Sequence, residues 1–139
     1  MSNREKCVTG SPLFLIEKTE QFQRSFKKLA KSQGKTFLDV IAPIIDDLAE
    51  NPYPQKSRSE PLPGKLKLPE GWTFHKLEIW SGKGASGQVR LMYLVNERAL
   101  VLRPLWIYTH GQFAKRPGDK DLTTVIQEAL GEPPASPDP

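Results

Sequence analysis

The sequence has almost none of the features that indicate a disulfide-rich, membrane or metal-dependent protein. Its 139 residues include one cysteine, Cys7, which excludes an internal disulfide and lies in a polar stretch that gives no support to a metal or redox role. No apolar run approaches the roughly 18 residues that a membrane-spanning helix needs. Residues 1–12, MSNREKCVTGSP, lack the apolar core of a signal peptide. These absences predict a soluble, cytoplasmic protein with no metal, cofactor or membrane partner.

The chain length limits the number of domains, and the charge pattern indicates which kinds of partner the protein could bind. A chain of 139 residues can form one domain with a hydrophobic core but is too short for two domains that each bury a sizeable core. The net charge is +4, and the acidic residues concentrate in segments 36–54 and 119–139, which leaves the rest strongly basic. A basic body suits a polyanion such as RNA or DNA, because neutralising phosphates releases counterions. A solubilising surface explains the same pattern equally well.

The clearest secondary-structure signal lies in residues 87–113, which read as two strands joined by a turn at Asn96. Apolar residues alternate from Val89 onward with the period of a half-buried strand. Arg90 falls on the second face of the first strand, inside an apolar run, and His110 follows the end of the second strand. These two side chains can therefore converge on one site.

Two amphipathic helices precede this hairpin. Thr19 is suited to cap the first helix and Gly34 to end it. Thr36, with an acid three residues later, predicts a capping-box start for the second helix, and Pro43 predicts a kink within it. The loop after Asn51 is rich in Pro, Ser and Lys, with a short strand expected at residues 65–68.

A third strand is predicted at residues 72–80, WTFHKLEIW, with Lys76 and Glu78 on one face and His75 on the other, where a packing role is expected. Pro104 should confine the last strand to an edge or a bulge.

The order of elements predicts an α+β fold, an N-terminal helical hairpin packed on a small antiparallel sheet with a short C-terminal helix. The predicted organisation is a flexible tail at 1–12, one domain at 13–118, a helix at 119–130 and a disordered tail at 131–139.

Five short segments carry a family resemblance. They are 22–29 (FQRSFKKL), 48–52 (LAENP), 62–64 (LPG), 74–79 (FHKLEI) and 89–93 (VRLMY). In this order, over residues 13–113, the chain resembles the RelE/ParE superfamily of type II toxin–antitoxin toxins. The resemblance implies a RelE-like mRNA interferase that cleaves RNA on the ribosome without metal, with mRNA, the ribosome and a cognate antitoxin as partners. It leaves the oligomeric state open.

The implied reaction is attack of a ribose 2′-hydroxyl on the adjacent phosphate, which needs a base, a cation and an acid. Arg90 matches the family's phosphate-binding strand arginine, although it could instead form a structural pair with Glu78 or Glu97. His110 matches the histidine of one branch, as general acid or base, and would otherwise be polar surface. Lys76 matches a basic strand position that binds phosphate or assists proton transfer, and an exposed strand lysine is the alternative.

The predicted RNA-binding residues are basic or aromatic side chains in the loops and at the end of the hairpin. Tyr108 and Phe113 could stack on bases, with core packing as the alternative for each. The complete set is Lys65, Lys67, Lys83, Tyr108, Phe113, Lys115 and Arg116.

Several positions depart from the family pattern. Glu78 stands where a basic residue is common, Pro63 stands where an arginine often follows the leucine, and no arginine cluster follows the last strand. Two alternatives therefore stay open, a non-catalytic RelE-like module that binds RNA or protein and a ParE-like gyrase inhibitor. Convergence of Arg90, Lys76 and His110 on one open basic face would favour the nuclease. The acidic helix at 119–130 is also expected to cover that face in cis.

Overall fold

The computed structural model describes residues 13–82, 84 and 87–131. The predicted tails at 1–12 and from 132 onward lie outside these ranges. Among the described residues, no helix combines the length and apolarity that a membrane crossing requires. The elements in chain order are β1 (Leu15–Ile16), α1 (Glu20–Gln33), α2 (Lys35–Asp47), β2 (Ser57–Ser59), β3 (Trp72–Trp80), β4 (Gln88–Asn96), β5 (Val101–Thr109) and α3 (Asp119–Ala129).

The five strands form one sheet in the order β1-β5-β4-β3-β2. Strands β2 to β5 pair antiparallel, and β1 runs parallel to β5. The predicted α+β architecture is confirmed, with the correction that the sheet is mixed. Two backbone hydrogen bonds hold the short strand β1 beside β5. The amide of Leu15 donates to the carbonyl of Leu100, and the amide of Glu17 donates to the carbonyl of Leu102.

Helices α1 and α2 cover the first face of the sheet. Their apolar stripes pack against alternate residues of β3, β4 and β5, which is the arrangement that the period-2 and helical patterns predict. Thr19 caps α1 as predicted, since its side chain accepts a hydrogen bond from the amide of Phe22. The buried residues of this core include Phe22, Leu29, Phe37, Ile41, Ile45, Leu77, Leu91, Tyr93 and Ile107.

Helix α3 covers part of the second face. Leu122, Val125 and Ile126 are buried against the apolar half of that face, which includes Met92 and Leu94. The other half of the same face carries charged side chains from the C-terminal part of β3 and the N-terminal part of β4. The candidate site lies on this charged half.

A β-bulge between β4 and β5 sets which residues reach each face. Tyr93 pairs with Pro104 and Met92 with Trp106, so the register shifts at this point and Leu105 is the extra residue. This confirms the irregularity that Pro104 predicts. Beyond the bulge Tyr108 stands opposite Arg90, which puts the two on the same face of the sheet.

Two local predictions were wrong. Helix α2 starts at Lys35 without a side-chain cap, so Thr36 lies inside its first turn. Gly34, with a φ of 79°, both ends α1 and begins α2, which leaves no room for a separate capping box. Residues 65–68 form no strand, and β3 pairs instead with β2. Leu66 and Leu68 pack their side chains against the second-face core. The apolar alternation at residues 65–68 therefore reflects burial of these side chains and not strand pairing.

Replacing Ser25 with alanine is expected to destabilise the fold by about 1–3 kcal/mol. Strand β1 is two residues long and pairs with Val101 and Leu102, so it does not reach Ile107, whose amide donates instead to Ser25 Oγ at 3.1 Å. The alanine variant leaves this amide buried and unpaired. Ser32→Ala is the matched control, because Ser32 lies exposed on the same helix. Urea unfolding of both variants measures the difference, and equal losses would contradict this role for Ser25.

Candidate active site

Arg90 and His110 contact each other across the end of the β4–β5 hairpin. Arg90 Nη1 lies 3.1 Å from His110 Nδ1. The amide of His110 bonds the carbonyl of Gln88 at 2.9 Å, which holds the residue beside β4 just after β5 ends. A guanidinium can only donate, so Nδ1 is the acceptor and the ring proton resides on Nε2. The convergence expected from the hairpin pattern is present.

Arg90 is largely buried, with 15% of its side chain exposed, and it has a carboxylate nearby. Its Nε lies 3.9 Å from Glu78 Oε2, which is a loose contact rather than a hydrogen bond. Glu97, the other carboxylate considered as a partner, accepts instead from the hydroxyl of Tyr53 at 2.6 Å. Among the described residues, the firm side-chain partner of Arg90 is therefore His110, and Glu78 is a weaker neighbour.

A cleft of ≈ 610 Å³ opens beside Arg90 on the second face of the sheet. Strands β3 and β4 form one wall, and the loop that leads into α3 forms the other. Lys76, which reaches this cleft from β3, is brought together with Arg90 as expected from their shared face. The cleft is lined by Glu60, Pro61, Lys76, Arg90, Ala114, Lys115, Arg116, Pro117, Gly118 and Asp119.

Glu60 is the residue in this cleft that sequence reasoning missed. Its side chain is 8% exposed and is flanked by two cations, with Oε1 3.5 Å from Lys76 Nζ and Oε2 3.0 Å from Arg116 Nη1. The amide of Glu60 bonds the carbonyl of Phe74, so the residue continues the pairing of β2 beyond its last strand position. The following Pro61 favours the extended backbone that this pairing needs. In the sequence, the one feature that sets Glu60 apart from Glu70, the other acid of this basic loop, is the proline that follows it.

The basic residues of the predicted RNA-binding set differ in their exposure and pairing. Lys65, Lys67 and Lys115 are exposed, and Lys115 also lines the cleft. Arg116 is held by Glu60, by the carbonyl of Pro61 at 2.6 Å and by Asp119 at 3.2 Å. Lys83 lies outside the described residues.

The two aromatic candidates occupy packing positions. Tyr108 is fully buried, and its hydroxyl donates to the carbonyl of Lys115 at 3.1 Å. Burial raises the pKa of the Tyr108 phenol well above its usual value. Phe113 is half-buried and meets Trp106 and Tyr108 edge-on, with ring centroids 5.9 and 5.6 Å apart. Tyr108 therefore takes the core-packing alternative, and base stacking by the half-buried Phe113 stays a prediction.

The acidic C-terminal helix contributes little to the cleft. Asp119 lines the entrance and pairs with Arg116, whereas Asp121 and Glu128 are exposed. The expected covering of the basic face in cis is therefore carried by one residue of α3, and its effect on RNA affinity stays a prediction. Within the described ranges, no group of three or more His, Cys, Asp or Glu side chains is arranged to hold a metal ion.

His75 lies on the opposite face from this cleft and is buried, as its alternating position predicts. Its Nε2 is 2.7 Å from Thr73 Oγ1, and its ring packs between Tyr53 and Tyr93, with centroids 5.1 and 5.5 Å away. Burial is the main cause that lowers the pKa of His75 below its ordinary 6.5. This histidine is part of the packing of the β2 edge and does not join Arg90.

The buried His75 predicts that the fold loses stability as the pH falls through about 6.5. Its pKa is lower in the folded chain than in the unfolded chain, so the unfolded state binds more protons in this window and stability rises with pH. Urea unfolding between about pH 8 and about pH 5 measures the effect. His110→Ala should keep this pH dependence and His75→Gln should lose most of it. An unchanged dependence in His75→Gln would contradict the assignment.

The sequence matches no protein-family model and no curated protein. The chain is similar in structure to the archaeal RelE–RelB complex from Pyrococcus horikoshii, with 17% identity, a TM-score of 0.47, and coverage of 72% of this chain and 98% of that one. It is also similar to a metal-bound toxin from Helicobacter pylori, with 20% identity, a TM-score of 0.49, and coverage of 73% and 99%. A third is the toxin–antitoxin complex RelBE2 from Mycobacterium tuberculosis, with 18% identity, a TM-score of 0.44, and coverage of 70% and 98%. At identities this low, the likeness concerns the backbone and assigns no activity.

Proposed function

We propose that this protein is a RelE-like toxin of a type II toxin–antitoxin system, a metal-independent endoribonuclease that cleaves mRNA on the ribosome and is neutralised by a cognate antitoxin. The observation that carries the proposal is the 3.1 Å contact between Arg90 and His110 beside a cleft that also holds a buried carboxylate, Glu60. A phosphate-binding cation, an imidazole and a carboxylate are the groups that RNA cleavage by its own 2′-hydroxyl needs.

The proposed reaction assigns one step to each group. Glu60 takes the proton of the 2′-hydroxyl, and the 2′-oxygen then forms a bond to phosphorus. Arg90 turns its guanidinium to the phosphate and stabilises the negative charge that builds up on the phosphate oxygens. The bond between phosphorus and the 5′-oxygen breaks, leaving a 2′,3′-cyclic phosphate and a 5′-hydroxyl.

His110 is the proposed acid for the leaving 5′-oxygen. While Arg90 donates to His110 Nδ1, that nitrogen is occupied. Once Arg90 turns to the phosphate, Nδ1 is free to take a proton from solvent, and the resulting imidazolium gives a proton to the 5′-oxygen. Phosphate binding by Arg90 would thus allow His110 to act as the acid. Lys76 and Arg116 hold the Glu60 carboxylate in position between them.

A second candidate is a non-catalytic RelE-like module that binds RNA or protein. It is favoured by the carboxylates beside three cations of the cleft, with Glu60 near Lys76 and Arg116, and Glu78 near Arg90. Such internal pairing lowers the positive potential available to RNA. It is also what a structural ion-pair network would produce.

Induced expression in a bacterium distinguishes these functions. We expect the wild-type chain to arrest growth and to produce new mRNA ends, and Arg90→Ala to relieve both effects. Arg98→Ala is the matched control, because Arg98 is an exposed arginine at the opposite end of β4. Normal growth with intact mRNA in cells that contain folded protein would favour the binding module. Growth arrest without mRNA cleavage would favour the gyrase inhibitor.

A further inference from the structure

Glu78 stands between two arginines on the charged half of the second face. Its Oε2 accepts a hydrogen bond from Arg58 Nη2 at 3.0 Å and lies 3.9 Å from Arg90 Nε. In the sheet Glu78 pairs with Arg90, and Arg58 pairs with Lys76, one strand further out. Side chains that are directly opposite each other across paired strands point to the same face. Three neighbouring strands therefore present a continuous charged surface that begins at β2 and ends at the cleft.

A second, shallower depression adjoins the cleft on the β2 side. It has a volume of ≈ 370 Å³ and is lined by Gln55, Lys56, Ser57, Arg58 and Glu78. Lys56 is exposed, and the Arg58 side chain is 64% exposed, so both cations are accessible from solvent. Glu78 is shared, because it lines this depression and also contacts Arg90 in the cleft.

We propose that this depression is a second phosphate subsite, which binds an RNA backbone phosphate next to the one that is cleaved, through Arg58 and Lys56. This inference rests on the proposed function, since it extends the path of the same RNA. In the unloaded protein the Glu78 carboxylate occupies the place of that phosphate on Arg58. A guanidinium accepts carboxylate and phosphate oxygens with the same planar geometry, so one anion replaces the other without rebuilding the site.

The exposure of the Arg58–Glu78 pair makes this exchange easy. Ion pairs in contact with solvent are weak because water and salt screen them, and this pair is exposed on the Arg58 side. The bound phosphate then displaces Glu78 from Arg58. Glu78 in turn weakens binding of any polyanion that cannot place a phosphate at this position. Glu78 is therefore the proposed specificity-determining residue of this subsite, because its charge repels a polyanion that does not displace it from Arg58.

The test measures binding of a fluorescent single-stranded RNA whose 2′-hydroxyls are methylated, so that it cannot be cleaved, across a series of salt concentrations. Arg58→Ala should weaken binding about tenfold, as loss of a hydrogen bond between charged groups does. It should also make the slope of log affinity against log salt shallower by about 0.7, the value of one phosphate contact with a single strand. Glu78→Gln should strengthen binding about fivefold, and Arg58→Ala should weaken binding more in the Glu78→Gln background than in the wild type.

A second exposed ion pair supplies matched controls. Arg98 and Glu70 are also 3.0 Å apart and lie at the far end of the sheet, so Arg98→Ala and Glu70→Gln remove the same charges away from the cleft. The subsite is overturned if Arg58→Ala matches Arg98→Ala in affinity and salt slope, or if the wild-type chain does not bind the RNA. The proposed function is judged separately by mRNA cleavage in cells. If the wild type cleaves mRNA but Arg58→Ala binds RNA as well as wild type does, the subsite proposal fails and the nuclease proposal stands.

Discussion

Replacing Arg90 with alanine is expected to lower the rate of mRNA cleavage by about 10²–10³-fold, the usual effect of removing one donor that stabilises transition-state charge. Arg90 is the cation that both borders the cleft and contacts His110, so the variant removes the phosphate contact and the group that holds the imidazole. The rate is measured with purified protein, translating ribosomes and a defined mRNA. A variant that cleaves within a factor of about three of wild type would contradict the role of Arg90.

Arg90→Lys separates charge from geometry. Lysine supplies a point charge without the planar fork of donors, so it should recover only a small part of the activity that alanine loses. Arg98→Ala should leave the rate unchanged, which shows that loss of one surface arginine is not the cause. Because Arg90 is 15% exposed and packs beside buried strands, circular dichroism and thermal unfolding must accompany each rate.

The second large effect is expected at Glu60, where substitution by glutamine should reduce mRNA cleavage by about 10²–10⁴-fold, the contribution of a positioned general base. Glutamine preserves the shape of the side chain and keeps an oxygen that Arg116 can bond, but it does not accept the 2′-hydroxyl proton. RNA affinity should stay the same or rise, because a negative charge is removed from the cleft. The measurements are single-turnover cleavage rate and RNA affinity on the same preparation.

The control for Glu60→Gln must distinguish catalysis from structure. Glu70→Gln removes an equally negative but exposed side chain and should change neither quantity. If Glu60→Gln loses cleavage and RNA affinity together, its carboxylate serves to hold Lys76 and Arg116 rather than to accept a proton. Unaltered cleavage in this variant would exclude Glu60 as the base.

The sequence predicted best those elements whose pattern is local. Strand β3 was placed at its observed limits because apolar and polar residues alternate through WTFHKLEIW, and the same alternation located β4 and β5. Thr19 revealed the start of α1 because capping depends on one side chain and the next turn. The sequence did not reveal strand β2, because its three residues, Ser-Arg-Ser, show no periodicity and the strand is defined by pairing with β3.

The candidate site was only partly accessible from the sequence for the same reason. Arg90 and His110 could be placed together because one hairpin carries both of them. Glu60 could not, since its burial depends on Lys76 from β3 and on Arg116 from the loop before α3, which are distant in the chain. The pairing of Glu78 with Arg58 likewise required the unexpected strand β2. The sequence alone does not decide between base stacking and core packing for Tyr108, because the bulge at Leu105 determines which face of the sheet its side chain occupies.

The proposed reaction, in which the RNA's own 2′-hydroxyl attacks a phosphate held by Arg90, leaves a 5′-hydroxyl on the downstream mRNA fragment. The most direct test maps mRNA 5′ ends after brief induction of the wild-type chain and of Arg90→Ala. Two parallel ligations capture 5′-hydroxyl ends and 5′-phosphate ends separately. We expect abundant new 5′-hydroxyl ends within translated regions for the wild type and near-background ends for the variant. New ends that carry 5′-phosphates, or no new ends despite growth arrest, would contradict the proposed reaction.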